Sequence, residues 1–151
     1  MDRIDYKILN MLQNDASLSI AVVADRAGLS QTPCWKRIQK LEALGIIEKR
    51  VALVAPDKIG LGLTVFASVE SHDHTPAGLR DFAQTVSAMP EVIQLHRLAG
   101  DVDYLLQVVV EDVKAYDAFY QKLISVGAIK NITSRFSVER IKVTTAYQLP
   151  A

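Results

Sequence analysis

The stretch SQTPCWKRIQK, residues 30–40, concentrates side chains that read nucleobases or hold phosphates. Lys can pair with guanine and Gln with adenine, while Thr or Trp can touch a thymine methyl or the sugar edge. We predict base contacts from Thr32, Trp35, Lys36 and Gln39. Contacts to phosphate fix register without reading sequence, and we predict them from Ser30, Gln31, Arg37, Lys40, Lys49 and Arg50.

The apolar residues of the same stretch recur at a helical spacing. Cys34, Ile38, Leu41 and Leu44 fall on one side of a helix, which leaves the polar residues on the other side. A charged face on an isolated helix is most often simply solvated. Cys34 belongs to the apolar side and has no His nearby in sequence, so we interpret it as a packed core residue rather than a nucleophile.

Two further helices precede this one and give the polar face its context. Cap residues and apolar spacing predict helices from Asp2 to Asn14, from Ser19 to Ala27 and from Ser30 to about Leu44. Gly28 supplies the left-handed residue that commonly ends a helix. In the helix-turn-helix arrangement the second helix of the pair enters the major groove, so this context favours DNA binding over a solvated face.

After Gly45 the pattern changes twice. IIEKRVALV, residues 46–54, is rich in branched residues and predicts a short hairpin or wing, and APDKIGLGL combines a proline with two glycines, as linkers do. The predicted domains are 1–50 for DNA binding, 51–62 for a linker strand and hinge, and 63–151 for an effector-binding and oligomerisation domain.

The second half alternates strand and helix patterns. Strands are predicted at Thr64–Glu70, Val92–Leu98 and Tyr104–Val110, and an extended segment with bends at Ile129–Val143. Helices are predicted from about Ala77 to Met89 and from Asp112 to about Ser125. The resulting order, βαββαβ, is that of ferredoxin-like folds. We therefore predict an α+β chain with an N-terminal winged helix-turn-helix domain and a C-terminal ferredoxin-like domain.

Composition narrows the class of protein. The chain carries 17 Lys+Arg and 17 Asp+Glu, so bulk adhesion to a polyanion is not expected, although residues 31–50 hold five cations against two carboxylates. One cysteine excludes an intramolecular disulfide. Neither a membrane-spanning run nor a signal peptide is seen, and we predict a cytoplasmic, nucleoid-associated protein with no membrane partner.

Three segments resemble those of the Lrp/AsnC family of transcriptional regulators, in the same order and spacing. They are IDYKILNMLQNDAS, LSQTPCWKRIQKLEALGII and AGDVDYLLQV. The resemblance implies a helix-turn-helix domain, a linker strand and a βαββαβ domain that binds an amino acid. It also implies dimers that assemble further, often to octamers. Trp35 departs from the smaller aliphatic residue expected beside the cysteine.

The resemblance places an effector site at AGDVDY. Gly100 would free backbone amides for a carboxylate, and Asp101 or Asp103 would accept from an α-ammonium. Without the resemblance, the same residues describe a hairpin turn capped by its aspartates. The remaining candidates for the pocket are Tyr104, Thr133 and Ser134.

A four-stranded sheet with both helices on one face leaves its other face uncovered. Phe66, Leu106 and Val108 are apolar strand residues that we expect on that face, where a second copy would cover them. A two-fold dimer presents two recognition helices and would read a pseudo-palindromic operator.

Competing functions remain at this point. The segment SHDHT contains His72, Asp73 and His74. We interpret it as a surface loop rather than a metal site, because no second ligand cluster accompanies it. We expect neither a metal nor a cofactor, and no enzyme activity, since no nucleophile lies at motif spacing from a base. An architectural DNA-binding protein without a ligand is the alternative, followed by a small ferredoxin-like enzyme.

Overall fold

The computed structural model describes residues 1–127 and 129–150 and divides the chain into two compact units. The first unit joins Met1–Leu53 to the segment that begins at Ile141, and the second is Val54–Arg140. The last residues of the expected domain 63–151 belong to the first of these units. Ala128 and Ala151, which that domain includes, lie outside the described residues.

The first unit contains the three predicted helices, α1 (Arg3–Asn14), α2 (Ile20–Ala27) and α3 (Gln31–Ala43). The Asp2 carboxylate caps α1 by accepting from the backbone N–H groups of Ile4 and Asp5, and the Ser19 hydroxyl accepts from that of Val22. Such caps satisfy amides that have no partner within the helix. The helix starts are thus encoded locally.

One apolar cluster holds the three helices together. Ile8 from α1, Val23 from α2 and Cys34 from α3 are fully buried in it, and Ile38 and Leu41 are 2% exposed. The prediction that Leu44 joins them is wrong. Leu44 is 61% exposed, because α3 ends at Ala43 and the chain turns away at the following glycine.

Residues 46–54, all of them described, form no strand, so the predicted hairpin does not form within them. Most of their apolar side chains stay exposed, with Leu53 at 74%, whereas Ile47 is partly buried against the apolar cluster of the three helices. A strand needs a partner for its ladder of hydrogen bonds, and branched residues alone do not supply one. The described residues 51–62, where a linker strand was expected, likewise form no strand, and a short 3-10 helix at Pro56–Ile59 takes up part of them.

The end of the chain belongs to the first unit through α1. The side-chain amide of Gln13 donates to the Tyr147 carbonyl at 2.7 Å and accepts from the Tyr147 N–H at 2.8 Å. A side-chain amide here satisfies both backbone groups of one residue, as a neighbouring strand would. Thr145 and Leu149 line the same groove beside α1.

The second unit is the predicted βαββαβ domain. Its elements are β1 (Leu63–Ser71), α4 (Pro76–Ser87), β2 (Val92–Arg97), β3 (Tyr104–Val110), α5 (Val113–Ile124) and β4 (Ile129–Phe136). The strands form one antiparallel sheet in the order β2-β3-β1-β4. β4 stops short of the predicted Val143, because its last pair, Phe136 with Val65, already lies near the start of β1.

The register of the sheet decides which residues face the helices. Ala67 pairs with Leu106 and Val65 with Val108, and all four are fully buried. Phe66 lies on the opposite face and is 37% exposed. The expectation that Leu106 and Val108 share the open face with Phe66 is wrong, since residues on adjacent strands share a face only where they pair or lie two apart.

In the part of the chain that the structure describes, no helix has the length and apolar content needed to cross a membrane.

Candidate functional site

The turn between α2 and α3 fixes the direction of the third helix. Gly28 has φ 74°, a left-handed conformation that glycine adopts without a steric penalty, and it ends α2 by donating back to the carbonyls of Ala24 and Asp25. Leu29 also donates to Ala24, at 2.9 Å. The buried side of α3 then packs on α1 and α2, so its other side faces outward.

The outward side of α3 carries the residues predicted from the sequence. Its exposed polar and aromatic residues are Gln31, Thr32, Trp35, Lys36, Gln39 and Lys40. Trp35 is 49% exposed, a large aromatic surface that the chain leaves uncovered. With the rest of the described chain, these six side chains form a single hydrogen bond, a long one of 3.4 Å from Gln39 to Glu42. All four candidate base readers are thus accessible.

Ser30 occupies the N-cap position of α3 but does not cap the helix with its side chain. It differs in this from Asp2, Ser19, Thr75 and Asp112, whose side chains do accept a backbone hydrogen bond at the starts of α1, α2, α4 and α5. Ser30 is exposed. Its hydroxyl and the first amides of α3 are therefore available to an anion.

Two of the predicted phosphate contacts are already engaged in ion pairs. Arg50 Nη2 lies 2.8 Å from Glu42 Oε1. Arg37 Nη1 lies 2.7 Å from both Asp2 Oδ2 and Asp5 Oδ1. Lys49, by contrast, is exposed and has no ion pair among the described residues.

Arg37, Asp2 and Asp5 form a charged cluster, called here the Arg37 cluster, in which the pKa of each member is shifted. The Asp5 backbone N–H and then Arg37 lower the pKa of Asp2. For Asp5, burial acts to raise the pKa, but the Asp2 N–H and Arg37 outweigh it and the pKa is lowered. Hydrogen bonds with Asp2 and Asp5 raise the pKa of Arg37. These partners of Arg37 were not predicted from the sequence, although the D-x-x-D spacing at the start of α1 is the signal for reciprocal capping.

The loop predicted to bind an effector joins β2 to β3. Gly100 and Asp101 at its tip are exposed, and a Cβ built on Gly100 would meet nothing within 4 Å. Asp103 at its base has structural partners: its Oδ2 accepts from the Ser71 N–H at 2.7 Å, and its Oδ1 lies 3.4 Å from His74 Nδ1. Asp103 thus ties the loop to the end of β1.

Tyr104 belongs to the core rather than to a surface pocket. It is 1% exposed, its ring centroid lies 4.6 Å from that of Phe82, and its hydroxyl donates to the Leu79 carbonyl at 3.3 Å. Burial raises the pKa of its phenol. The prediction that Tyr104 completes an effector pocket is not supported by this placement, because its one polar atom is already paired with backbone.

Thr133 and Ser134 point to opposite faces of the sheet. Thr133 pairs with Ser68 on the open face and is exposed, whereas the Ser134 hydroxyl shares a hydrogen bond with the Tyr116 hydroxyl on the helix side. Successive residues of a strand always diverge in this way. The six candidate effector residues therefore do not converge on one pocket within the chain.

The SHDHT segment, residues 71–75, joins the end of β1 to α4 and ends at Thr75, the N-cap of that helix. His72 and His74 are exposed, and Asp73 Oδ1 accepts from the Thr75 N–H at 2.8 Å in a local turn. Among residues 1–127 and 129–150, no three His, Cys, Asp or Glu side chains are grouped so that they could hold a metal ion.

Comparisons with known proteins cover both units. The family profile described as Lrp/AsnC ligand binding domain matches residues 64–147, and the one described as winged helix-turn-helix DNA-binding matches residues 1–48. The DNA-binding transcriptional activator DecR from Escherichia coli is 45% identical over 147 residues, which are 97% of each chain.

Two solved structures are similar over nearly the whole chain. An AsnC family transcriptional regulator from Agrobacterium tumefaciens is 49% identical, with a TM-score of 0.93, over 99% of this chain and 97% of that one. A transcriptional regulator from Neisseria meningitidis, solved as a complex with L-Met, is 34% identical, with a TM-score of 0.92, over 98% and 96% of the two chains.

Proposed function

This chain belongs to the Lrp/AsnC family of transcriptional regulators, with a DNA-binding helix-turn-helix unit and a ligand-binding domain, and we propose that α3 reads an operator through its exposed face. Its relatives are transcriptional regulators rather than enzymes, and this protein is likewise a transcriptional regulator. The observation that carries the proposal is the accessibility of Thr32, Trp35, Lys36 and Gln39 on one outward helix face.

The roles follow from the chemistry of each side chain. Lys36 and Gln39 suit guanine and adenine edges, and Thr32 and Trp35 suit a thymine methyl or the sugar edge. Contacts that carry no sequence information come from the ends of the helix and beyond. They are assigned to Ser30, Gln31, Lys40, Lys49 and Arg50.

The ligand of the second unit is proposed to be an amino acid. A relative solved with L-Met supports this class of ligand. Within the loop between β2 and β3, the exposed Asp101 is the carboxylate suited to an α-ammonium, and the backbone beside Gly100 is open to a carboxylate. Asp103 holds the loop in place.

A second copy of the chain is proposed to complete that site. Thr133 and Phe66 lie on the open face of the sheet, away from Tyr104 and Ser134, so one chain does not gather the candidates. A homodimer that covers this face, and larger assemblies up to an octamer, would bring loops and faces of different copies together. Two recognition helices would then match a pseudo-palindromic operator.

The DNA-binding proposal is tested with duplexes that the full-length protein selects from a random-sequence pool. Lys36→Ala should lower the preference for the selected duplex over a scrambled one, since it removes a base contact. Arg50→Ala should weaken binding to both duplexes about equally, because it removes a phosphate contact. A protein that enriches no duplex, or variants that keep wild-type affinity and selectivity, would contradict the proposal.

The ligand proposal is tested by a thermal-shift screen of the common amino acids. An amino acid that binds the folded chain raises Tm, and Asp101→Asn should abolish that rise. Asp117→Asn, an exposed carboxylate on α5, is the matched control and should keep it. If no amino acid raises Tm, the protein is a DNA-binding protein without this class of ligand.

A further inference from the structure

Arg37 differs from every other predicted DNA contact on α3 because its side chain points back toward α1. Gln31, Lys36 and Lys40 are exposed, whereas Arg37 is half-buried, with a side chain 31% exposed. Its Nη1 bridges the carboxylates of Asp2 and Asp5 at 2.7 Å each. One nitrogen of α3 thus holds both acidic residues at the start of α1.

The two carboxylates divide their oxygens between two tasks. Asp2 Oδ1 accepts from the N–H groups of Ile4 and Asp5, and Asp5 Oδ2 accepts from the Asp2 N–H, each at 2.9 Å. The remaining oxygens, Asp2 Oδ2 and Asp5 Oδ1, are those that meet Arg37. Since the capping bonds fix both carboxylates on the helix end, Arg37 is held by a rigid pair of acceptors rather than by mobile side chains.

The charge of this cluster is unsuited to a phosphate contact. One guanidinium faces two carboxylates, so a phosphate brought to Arg37 would also approach two negative charges. Lys36 and Lys40 line the same surface depression, and neither forms an ion pair among the described residues. They supply the positive charge that Arg37 does not.

We propose that Arg37 is a positioning residue, which fixes the orientation of α3 against the start of α1 and so sets how the base-reading side chains meet DNA. The inference rests on the proposed function, because it concerns how that helix is presented. Arg37, which the sequence predicts to contact phosphate, instead supports the side chains that contact bases. Asp2 and Asp5 become part of the DNA-reading apparatus without touching DNA.

The experiment measures affinity of the full-length protein against salt, for the selected duplex and for a scrambled one. Removing a phosphate contact lowers the slope of log K against log[salt] by about 1. Lys40→Gln, the matched loss of a cation on the same helix, should show that loss. Arg37→Gln should keep the slope and lower the selected-to-scrambled affinity ratio by about fivefold, the size of a partly exposed ion pair.

Asp5→Asn separates the two roles most sharply. If Arg37 positions α3, this substitution should lower the affinity ratio as Arg37→Gln does, although it removes a negative charge. Asp25→Asn, an exposed carboxylate on α2, is the control and should leave the ratio unchanged. Arg37→Lys, which keeps a cation between the two carboxylates, should restore most of the ratio.

The outcomes distinguish this inference from the function on which it rests. A slope that falls by about 1 in Arg37→Gln, or tighter binding by Asp5→Asn, would overturn the positioning role and leave DNA reading by α3 intact. Wild-type protein that prefers no duplex would overturn the proposed function itself. Urea unfolding of each variant identifies a loss of fold, and the affinity ratio of the folded protein does not change when stability alone is reduced.

Discussion

The exposed face of α3 and the loop between β2 and β3 assemble their candidate residues in different ways. On α3, Thr32, Lys36 and Gln39 share one face because a helix repeats every 3.6 residues. Around the loop, Asp101 is at the tip, Tyr104 is in the core and Thr133 is across the sheet. A surface built from one element is complete in one chain, whereas a pocket built from several depends on register and on what covers the sheet.

The largest expected effect concerns Tyr104, a candidate effector residue that lies in the core. Tyr104→Ala should lower the free energy of unfolding by about 3–5 kcal/mol, because it empties a buried aromatic position against Phe82. Tyr104→Phe should cost only about 1 kcal/mol, for the bond to Leu79. Both are measured by urea unfolding. A small loss of unfolding free energy in Tyr104→Ala would contradict the core position of Tyr104. The residue would then again be a candidate for the binding site.

The two aspartates of the loop should differ in a smaller but clear way. Asp103→Ala removes the acceptor of the Ser71 N–H and should lower the free energy of unfolding by about 1–2 kcal/mol. Asp101→Ala, at the exposed tip, should stay within about 0.5 kcal/mol of wild type. The same unfolding assay compares them. Equal losses would mean that Asp103 does not anchor the loop.

The contact of the C-terminal segment with α1 should contribute less. Gln13→Ala removes both hydrogen bonds to Tyr147 and should lower the free energy of unfolding of the first unit by about 1 kcal/mol. Lys7→Ala, exposed on the same helix, is the control and should have little effect. Amide hydrogen exchange at Tyr147 provides the local readout, and unchanged protection in Gln13→Ala would argue against the pairing.

The Arg37 cluster should make the first unit acid-sensitive, the smallest of these effects. The pKa values of Asp2 and Asp5 are lowered below their usual 3.8. Such carboxyls stabilise the fold at higher pH, and that contribution is lost as the pH falls below 3.8 toward the folded-state values. In Arg37→Gln the free energy of unfolding should fall less steeply as the pH is lowered, as measured by unfolding titrations in acid. An equally steep decline in the variant would show that the pairing with Arg37 contributes little.

Where the sequence analysis and the structure diverge, the missing information concerns partners. The three helices and the order of strands and helices along the chain are predicted because caps, Gly28 and apolar spacing act within a few residues. The hairpin predicted at 46–54 does not form, because branched residues favour a strand only where another strand is available to pair. The assignment of Leu106 and Val108 to the open face is wrong because alternation within a strand does not say which face meets the helices.

For the candidate site, the sequence alone determined the helix that presents Thr32, Trp35, Lys36 and Gln39, since helical periodicity and capping are local properties of the chain. The tertiary structure alone decided that Arg37 turns inward to Asp2 and Asp5, that Asp103 anchors its loop and that Tyr104 lies in the core. These contacts join residues about 25 to 35 positions apart. Only the packing of whole elements brings such residues within bonding distance.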